Sequence, residues 1–364
     1  MQQKPALHNA FVWVLSPYLQ TNDPNLEYYY DFTQSIAEYT RAFEALQLPW
    51  KWQPVTLQDY ATIIDSIKNS HNGFTNIILN LCDGDEVNGT PGISVVRHLQ
   101  TNNMIYTGAE ERYYHLTTSK IIMKQAFEQA GVATAPWVAI MGPDATVAGT
   151  CDKLGRPVIA KPAVSGGSMG LGVKNVVQDD AALQSVVADI YKGYHGWDLA
   201  FGGIVVEQFI AGPEYTSFII GDYRQPDKAI IYPPVERVFH KALKEEEKFL
   251  SFDRLWETYD EENPIGEYEN FYDYHPPTSD AIAQAVNKLS WDAYCAVEGT
   301  GYGRIDLRMD AATGQLYVLE VNAQCGLSED ENYTSIGAIL RLSGRTFADM
   351  VAAVLQDALD RHGR

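Results

Sequence analysis

Two short strands, each carrying an acid and joined by a tight turn, constrain this chain more than any other feature. The first reads Gly303-Arg304-Ile305-Asp306-Leu307-Arg308, a turn follows around Asp310 and Gly314, and the second reads Leu316-Tyr317-Val318-Leu319-Glu320-Val321-Asn322. Side chains alternate faces along a strand, so Arg304, Asp306 and Arg308 share one face and Val318, Glu320 and Asn322 share one face of the return strand. A hairpin centred on Thr313 sets Asp306 opposite Glu320 and Arg304 opposite Asn322. Facing carboxylates ~5 Å apart repel by roughly 3 kcal/mol at an effective dielectric of ~20, and sheets avoid like charges directly opposite. A divalent cation removes the conflict. Oxygen donors from Asp, Glu and Asn suit Mg²⁺ when nucleotide phosphates complete its shell. Taken alone, the hairpin is equally well a solvated face on which Arg304 and Arg308 neutralise the acids.

Two further motifs bear on that choice. In Ile159-Ala160-Lys161-Pro162 a lysine leaves an apolar strand just before Ser165-Gly166-Gly167-Ser168-Met169-Gly170. Glycines let backbone N–H groups approach phosphate oxygens, and the lysine adds a point charge. No GK[ST] follows the glycines, so this is not a Walker A loop, and by itself such a loop is more often a flexible turn. In Glu207-Gln208-Phe209-Ile210, followed by Gly212-Pro213-Glu214, a strand ends in polar, aromatic and aliphatic side chains. That combination can sandwich a purine and pair with its edge, with Glu214 accepting from ribose hydroxyls. The bland alternative is a strand ending in surface glutamates.

Along the chain, an apolar run at 11–15 predicts a first strand, 28–48 a helix, and 76–81 a strand leading into the turn-rich loop 82–92, CDGDEVNGTPG. A helix is expected over 117–131, capped by Thr117 or Thr118 and ended by Gly131. Strands are expected at 157–162, 204–209 and 215–220, a long excursion without regular structure at 235–277, an amphipathic helix at 279–299 and a last helix at 346–359. The net charge of −20 and the absence of clustered Lys and Arg exclude a broad nucleic-acid surface. No apolar run reaches the ~18 residues of a membrane span. The start, MQQKPALHNAFVWVLS, lacks the marks of a signal peptide, so a cytoplasmic location is expected. Cys82, Cys151, Cys295 and Cys325 are scattered, as in a reduced protein without a zinc site.

In this order and spacing, KP, the SGGSMG loop, ExFIxGPE, GRIDLRMD and LEVNA resemble the D-alanine–D-alanine ligase branch of the ATP-grasp superfamily. YTGA at 106–109 and SKxxxK at 119–124 extend the resemblance, which runs from about Tyr106 to the C-terminus. It implies an α/β (α+β) ATP-grasp fold of three domains, with boundaries expected at 1–115, 116–204 and 205–364, and ATP held between the central and C-terminal domains. It implies that Lys120 and Lys161 hold ATP phosphates under a loop of Ser165, Gly166, Gly167, Ser168, Met169 and Gly170, with Ser168 near the γ-phosphate. Glu207, Gln208, Phe209 and Ile210 would line the adenine pocket and Glu214 would bind ribose. Asp306, Glu320 and Asn322 would ligate Mg²⁺, with Mn²⁺ as an alternative. Arg304 would stabilise the acyl-phosphate and the tetrahedral intermediate, and Lys248, in EEEKFLSFD, would match the family's mobile-loop lysine. The implied activity is ATP-dependent amide formation between small amino-acid-like substrates through an acyl-phosphate, by a homodimer acting on small molecules.

The substrate regions depart from the family pattern. The first strand ends Leu15-Ser16-Pro17-Tyr18 in place of a glycine-rich turn bearing an acid, for which Glu27 is a candidate substitute. The loop 82–92 replaces a histidine-containing GEDG loop, and Gly167 stands where those ligases carry a serine. The stretch AQCGLSEDENYTSIG after Asn322 is longer and lacks a proline, with Ser328, Tyr333, Thr334 and Ser335 as candidate contacts. Nucleotide parts are kept and substrate parts changed, which predicts a different substrate. The aromatic residues 28–30 and 271–275 either line a pocket for a larger acid or pack a core or lid. Two other activities share such an ATP site: a phosphotransferase or ketone-activating enzyme, and a nucleotide-binding protein without chemistry.

Overall fold

The structure is a computed structural model describing residues 7–19, 31–70, 73–194, 196–252, 254, 270–332 and 334–363. Glu27, the aromatic residues 28–30 and Tyr333 lie outside them.

Three sheets organise the chain. The first is parallel, in the order β2 (Trp50–Val55), β1 (Ala10–Pro17), β3 (Thr75–Asn80), β4 (Ile105–Tyr106). Its crossovers are helices α1 (Thr33–Leu46), α2 (Tyr60–Lys68) and α3 (Ile93–Thr101), as parallel pairing demands. The helix expected from residue 28 begins at Thr33.

The helix expected over 117–131 is two helices. α4 (Glu111–Thr118) ends where Thr117 and Thr118 turn their hydroxyls back onto the carbonyls of Tyr113 and Tyr114. Ser119 is extended, and α5 (Lys120–Ala130) starts after it and closes on Gly131 in the left-handed conformation. Threonine hydroxyls that bond four residues back cannot cap the next helix. The break fixes where Lys120 and Lys124 begin.

The second sheet is antiparallel, in the order β5 (Trp137–Ile140), β8 (Ile204–Gln208), β6 (Val158–Pro162), β7 (Val176–Val177). Helices α6 (Thr150–Leu154) and α7 (Asp180–Tyr191) accompany it. It closes its own core, built from Leu154, Val158, Leu183, Val187, Ile204 and Val206 among others.

The third sheet runs β12 (Tyr272–His275), β11 (Val235–Phe239), β9 (Glu214–Ile220), β13 (Tyr302–Met309), β14 (Leu316–Ala323), with β10 (Ile230–Ile231) on β9. The stretch 235–277, expected to lack regular structure, therefore supplies two paired strands to this sheet, Val235–Phe239 and Tyr272–His275. Their short alternation, Val-Glu-Arg-Val-Phe and Tyr-Asp-Tyr-His, was masked by the charged residues between them.

Unlike the second sheet, the first and third share their interior. One cluster joins Leu15, Ile78 and Tyr106 to Tyr294, Ile305 and Val321, and another joins Val12 and Tyr39 to Phe218, Tyr302 and Met350. Helix α8 (Asp280–Ala296), capped by the Ser279 side chain, lies in the first cluster. Helix α9 (Ser335–Ser343) and helix α10 (Phe347–His362) close the second. α10 buries Phe347, Met350, Val351, Val354, Leu355 and Leu359 along one stripe. Each such side chain contributes about 1.5–3 kcal/mol by leaving water. Among the described residues no helix is long and apolar enough to cross a membrane.

Candidate active site

The hairpin β13–β14 has the register its sequence predicts, with Arg304 opposite Asn322 and Asp306 opposite Glu320. One detail differs. Leu307 pairs with Val318, so Leu319 is an extra residue on β14. A bulge shifts the alternation by one. Val318 therefore does not share the face of Glu320 and Asn322; it is fully buried in the core, and Leu319 joins Glu320 on the wall of a large cavity.

That cavity, of about 400 Å³, runs between the second and third sheets and up to the first. It lies in the roughly 300–1,000 Å³ range of small-molecule sites. Lys120, Lys161, Ser165, Gly166, Gly167 and Ser168 line it, as do Glu207, Gln208, Phe209, Ile210 and Glu214, and Arg304, Asp306, Glu320 and Asn322. Fifteen positions from distant parts of the chain are thus brought onto one cavity wall, five from β8, the turn after it and the start of β9, four from the hairpin and the rest from α5, β6 and the glycine loop.

At the hairpin the acids are tightly held. Asp306 Oδ1 accepts from the Thr216 hydroxyl at 2.8 Å, and Oδ2 accepts from Arg304 Nε and Asn322 Nδ2, both at 3.0 Å. Asn322 Nδ2 also donates to Glu320 Oε1 at 3.2 Å, and Lys120 Nζ stands 3.7 Å from Glu320 Oε2. Burial raises the Asp306 pKa; Arg304 opposes this and the Glu320 charge adds to it. Burial also pushes Glu320 upward, but Lys120, Arg304 and Lys161 together hold it below its ordinary value. Among the described residues no three His, Cys, Asp or Glu side chains converge on one metal position. Two carboxylates and an amide on one face are what a Mg²⁺ ion needs when phosphates and water supply its remaining ligands. Crowded acids that draw on an arginine and an amide to stay ionised fit a cation in their midst. Thr216, which the sequence reading missed, is marked only by its place opposite Asp306 on β9.

The glycine loop is shaped by its own backbone. Ser168 has φ 61°, with Gly167 at 54° and Gly170 at 74°. Met169 N donates to the Gly166 carbonyl at 3.0 Å and Lys120 Nζ donates to the Ser165 carbonyl, also at 3.0 Å. A side chain at Gly166 would meet open space. Met169 does not reach the large cavity; it lines a smaller neighbouring one with Trp197, and Gly170 packs closely on Leu199 and Pro162.

Glu207 lies between two lysines. Lys124 Nζ is 2.5 Å from its Oε2 and Lys161 Nζ 2.6 Å from its Oε1, with Glu207 and Lys124 each 2% exposed. Burial alone would raise the Glu207 pKa, but the two ammonium groups hold it down to about 2. A folded-state value below the unfolded one stabilises the native state above pH ~4.5 and loses that effect as pH falls toward 2. Urea midpoints measured from pH 7 to pH 3 are expected to drop more steeply below about pH 4.5 in the wild type than in Glu207→Gln. Equal slopes would show that this carboxylate is not the one protonated. Lys124, which SKxxxK contained without a stated role, is the missed residue here, and its place one helical turn after Lys120 was the available sign.

Glu214 is also committed on both sides. Arg237 Nη1 donates to its Oε1, and Arg308 Nη2 to its Oε2 at 2.9 Å. Arg308 also donates to the carbonyls of Ile210 (3.1 Å) and Lys248 and lies over the Phe209 ring. Arg237, unnoticed in the sequence, is buried and further held by Tyr274 Oη at 2.9 Å. Within the stretch 271–275, Tyr272 and Tyr274 line the cavity and also pack against the second apolar cluster, while Phe271 packs on Phe239. Lys248, the candidate mobile-loop lysine, is engaged within its own segment. Its ammonium pairs with Glu245 on the 3₁₀ turn Glu245–Glu247, while its neighbours Phe249 and Leu250 face the cavity.

Comparison with known proteins gives three findings. The family described as D-ala D-ala ligase C-terminus matches residues 126–356. The D-alanine–D-alanine ligase B of Xanthomonas campestris pv. campestris is 28% identical over 285 residues, spanning 78% of each chain. The solved D-alanine–D-alanine ligase of Bacillus anthracis complexed with ATP superposes with a TM-score of 0.67 at 18% identity, over 97% of this chain and 98% of that one. The corresponding ligase of Coxiella burnetii gives 0.65 at 14% identity, over 97% and 96%. These two share the fold.

Proposed function

The chain belongs to the D-alanine–D-alanine ligase family, and from that premise we propose that this ATP-dependent ligase joins a small amino-acid-like carboxylate to an amine through an acyl-phosphate, on substrates other than two D-alanines. The observation that carries the reading is the register of β13 and β14, which sets Arg304, Asp306, Glu320 and Asn322 on the wall that Lys120 and Lys161 also line.

In this reading Asp306, Glu320 and Asn322 would hold Mg²⁺, or Mn²⁺, which would supply positive charge against the phosphates. Lys120 and Lys161 orient the phosphates, and the loop carrying Ser165, Gly166, Gly167 and Ser168 covers them. Phe209, Ile210, Glu207 and Gln208 enclose the base, with Glu214 toward the ribose. The donor carboxylate attacks the γ-phosphorus and ADP leaves. The amine nitrogen then attacks the acyl carbon, loses a proton, and phosphate departs. Arg304 stands where negative charge builds on the acyl oxygen. Ser335 supports an acceptor that itself bears a carboxylate. Its hydroxyl is buried at the N-terminus of α9, lines the cavity, and has no hydrogen-bond partner among the described residues. A helix start favours an anion.

The altered-substrate part rests on the far end of the cavity, where Pro17, Phe32, Ser35, Tyr39 and Leu81 form a largely apolar wall. The domain division at 1–115, 116–204 and 205–364, the cytoplasmic location, the homodimer and the acid–amino-acid ligase class belong to the same proposal.

The test is a screen of amino-acid pairs, D and L, read by ADP release and product mass. The expected result is a dipeptide or related amide with balanced ADP. D-alanyl-D-alanine as the best product would remove the altered-substrate part. A stable phosphorylated product in place of an amide would replace the ligase by a phosphotransferase. Glu320→Gln is expected to weaken Mg·ATP binding about 10- to 100-fold with the fold intact, by analogy with losses at metal-site residues. Calorimetric titration with circular dichroism checks this, and wild-type nucleotide affinity would remove the metal assignment.

A further inference from the structure

Helix α1 faces two ways. Its N-cap Phe32, with Ser35 and Tyr39, lines the large cavity. Its flank holds the loop 326–334, which leads from the hairpin to α9. Glu38, 2% exposed, is the centre of that contact. Its Oε1 accepts from the Ser328 hydroxyl at 2.8 Å and from Gln34 Nε2 at 3.2 Å, and its Oε2 accepts from the backbone N–H of Glu329 at 3.3 Å. Arg41, three residues on, pairs with Glu329 instead of Glu38. A buried carboxylate is costly unless its oxygens are hydrogen-bonded. This one is spent on the loop and on its own helix.

From Glu38 the contacts run on to the cavity. Ser328 Oγ accepts from the Asp330 N–H at 3.1 Å, and the Asp330 carbonyl accepts from the Thr334 N–H at 3.0 Å. The Thr334 hydroxyl caps α9 by accepting from Ile336 N at 3.3 Å, and Ser335 is the first residue of that helix. Loop and helix also touch directly, since a Cβ on Gly337 would sit 2.5 Å from the Glu329 carbonyl oxygen. Thr334 and Ser335 line the cavity. Ser328, a candidate substrate contact in the sequence, does not, because its hydroxyl is turned to Glu38. The other links between α1 and the loop, Gln34 to Asp330 and Arg41 to Glu329, are exposed, where such contacts contribute little. Among the described residues Glu38 is thus the buried polar anchor of the loop.

We infer that Glu38 is a positioning residue for the acceptor. Through Ser328 and Asp330 it sets where Thr334, Ser335 and the start of α9 meet the acceptor's carboxylate, while Glu38 itself is off the cavity wall. The inference rests on the ligase reading for the acceptor site at Ser335; the anchoring of the loop stands on the geometry alone.

The test compares the full-length wild type with Glu38→Ala, Glu38→Gln and Ser328→Ala. The common D- and L-amino acids are supplied in pairs with Mg·ATP, ADP release is followed, and the acceptor is the partner whose carboxylate survives in the product. For the best pair, Glu38→Ala and Ser328→Ala are expected to raise the acceptor KM about 10- to 100-fold, the worth of a hydrogen bond to a charged group. The donor KM and the Mg·ATP affinity should stay near those of the wild type. Glu38→Gln should recover most of the loss, because it keeps the length, the Ser328 hydroxyl can accept where it donated, and the Gln34 amide can turn. Backbone amide exchange over 326–336 should rise in the alanine variants and fall back in Glu38→Gln. Equal losses for donor, acceptor and nucleotide, an acceptor KM that ignores faster loop exchange, or a Glu38→Gln no better than Glu38→Ala overturns the inference. If Glu38→Ala does not fold, Ser328→Ala decides, since it cuts the same link from the loop side. A wild type that makes no amide from any pair removes the ligase reading. Calorimetric binding of the same amino acids with Mg·ADP then decides for Glu38: weaker binding to Ser328→Ala than to the wild type keeps the positioning role, and equal or absent binding ends it.

Discussion

Arg304→Ala is expected to lower kcat by about 10²- to 10³-fold, the usual loss when one preorganised donor to a developing charge is removed, with nucleotide affinity near that of the wild type. The reason is placement. Arg304 sits on β13 between Asn322 of β14 and Phe218 of β9, and two bonds to Asp306 Oδ2, at 2.9 and 3.0 Å, fix its guanidinium in one pose on the cavity wall. A charge held this way needs no reorganisation as the acyl oxygen becomes negative. Arg304→Lys should recover little, because a lysine keeps the charge but loses the planar fork. Steady-state ADP release and calorimetric nucleotide titration separate the outcomes. Parallel losses in both would mean that Arg304 merely keeps Asp306 in place.

Glu207→Ala is expected to cost about 3–5 kcal/mol of folding stability, the range for removing one partner of a buried ion pair. Lys124, 2% exposed, would be left with the Thr134 hydroxyl at 2.7 Å, and Lys161, 17% exposed, would lose its carboxylate as well. The double variant Glu207→Leu/Lys124→Met should regain much of the loss, since it removes the buried charge together with its partner. Urea unfolding monitored by tryptophan fluorescence checks both. A shift of under about 1 kcal/mol for Glu207→Ala would show that the two ammonium groups find other partners or shed their protons.

The two predictions differ in how much of their basis was legible beforehand. Arg304 and its neighbours lie on a hairpin, where register follows from strand period and turn position alone, so the pairing with Asn322 and of Asp306 with Glu320 could be counted out. The bulge at Leu319 could not, because nothing local in Val318-Leu319-Glu320 marks an extra residue. The charge cluster at Glu207 joins α5, β6 and β8, and no short-range pattern places Lys124 beside a strand more than seventy positions away. Arg237 escaped notice for the same reason, since the link from β11 to Glu214 exists only across the sheet. The break at Ser119 was hidden by two threonines that suit a cap as well as a helix end. The pairing of Lys248 with Glu245, three residues earlier, was equally hidden, because EEEKFLSFD shows only a string of charges.

The separate interior of the second sheet has a mechanical consequence. Where the first and third sheets interlock through two large apolar clusters, the unit carrying Lys161 and the glycine loop meets them through a small one, Ile159 and Phe209 against Phe249, and through polar links: Val318 N to the Ala133 carbonyl at 2.8 Å, Thr134 to the Val318 carbonyl at 3.1 Å, and the Lys124–Glu207 pair. Parting along that seam exposes little oily surface, so the resistance to it is small beside that of prising the other two sheets apart. The joint that bears the least apolar area is therefore the one that borders the cavity, and under strain it should yield before the other two sheets come apart.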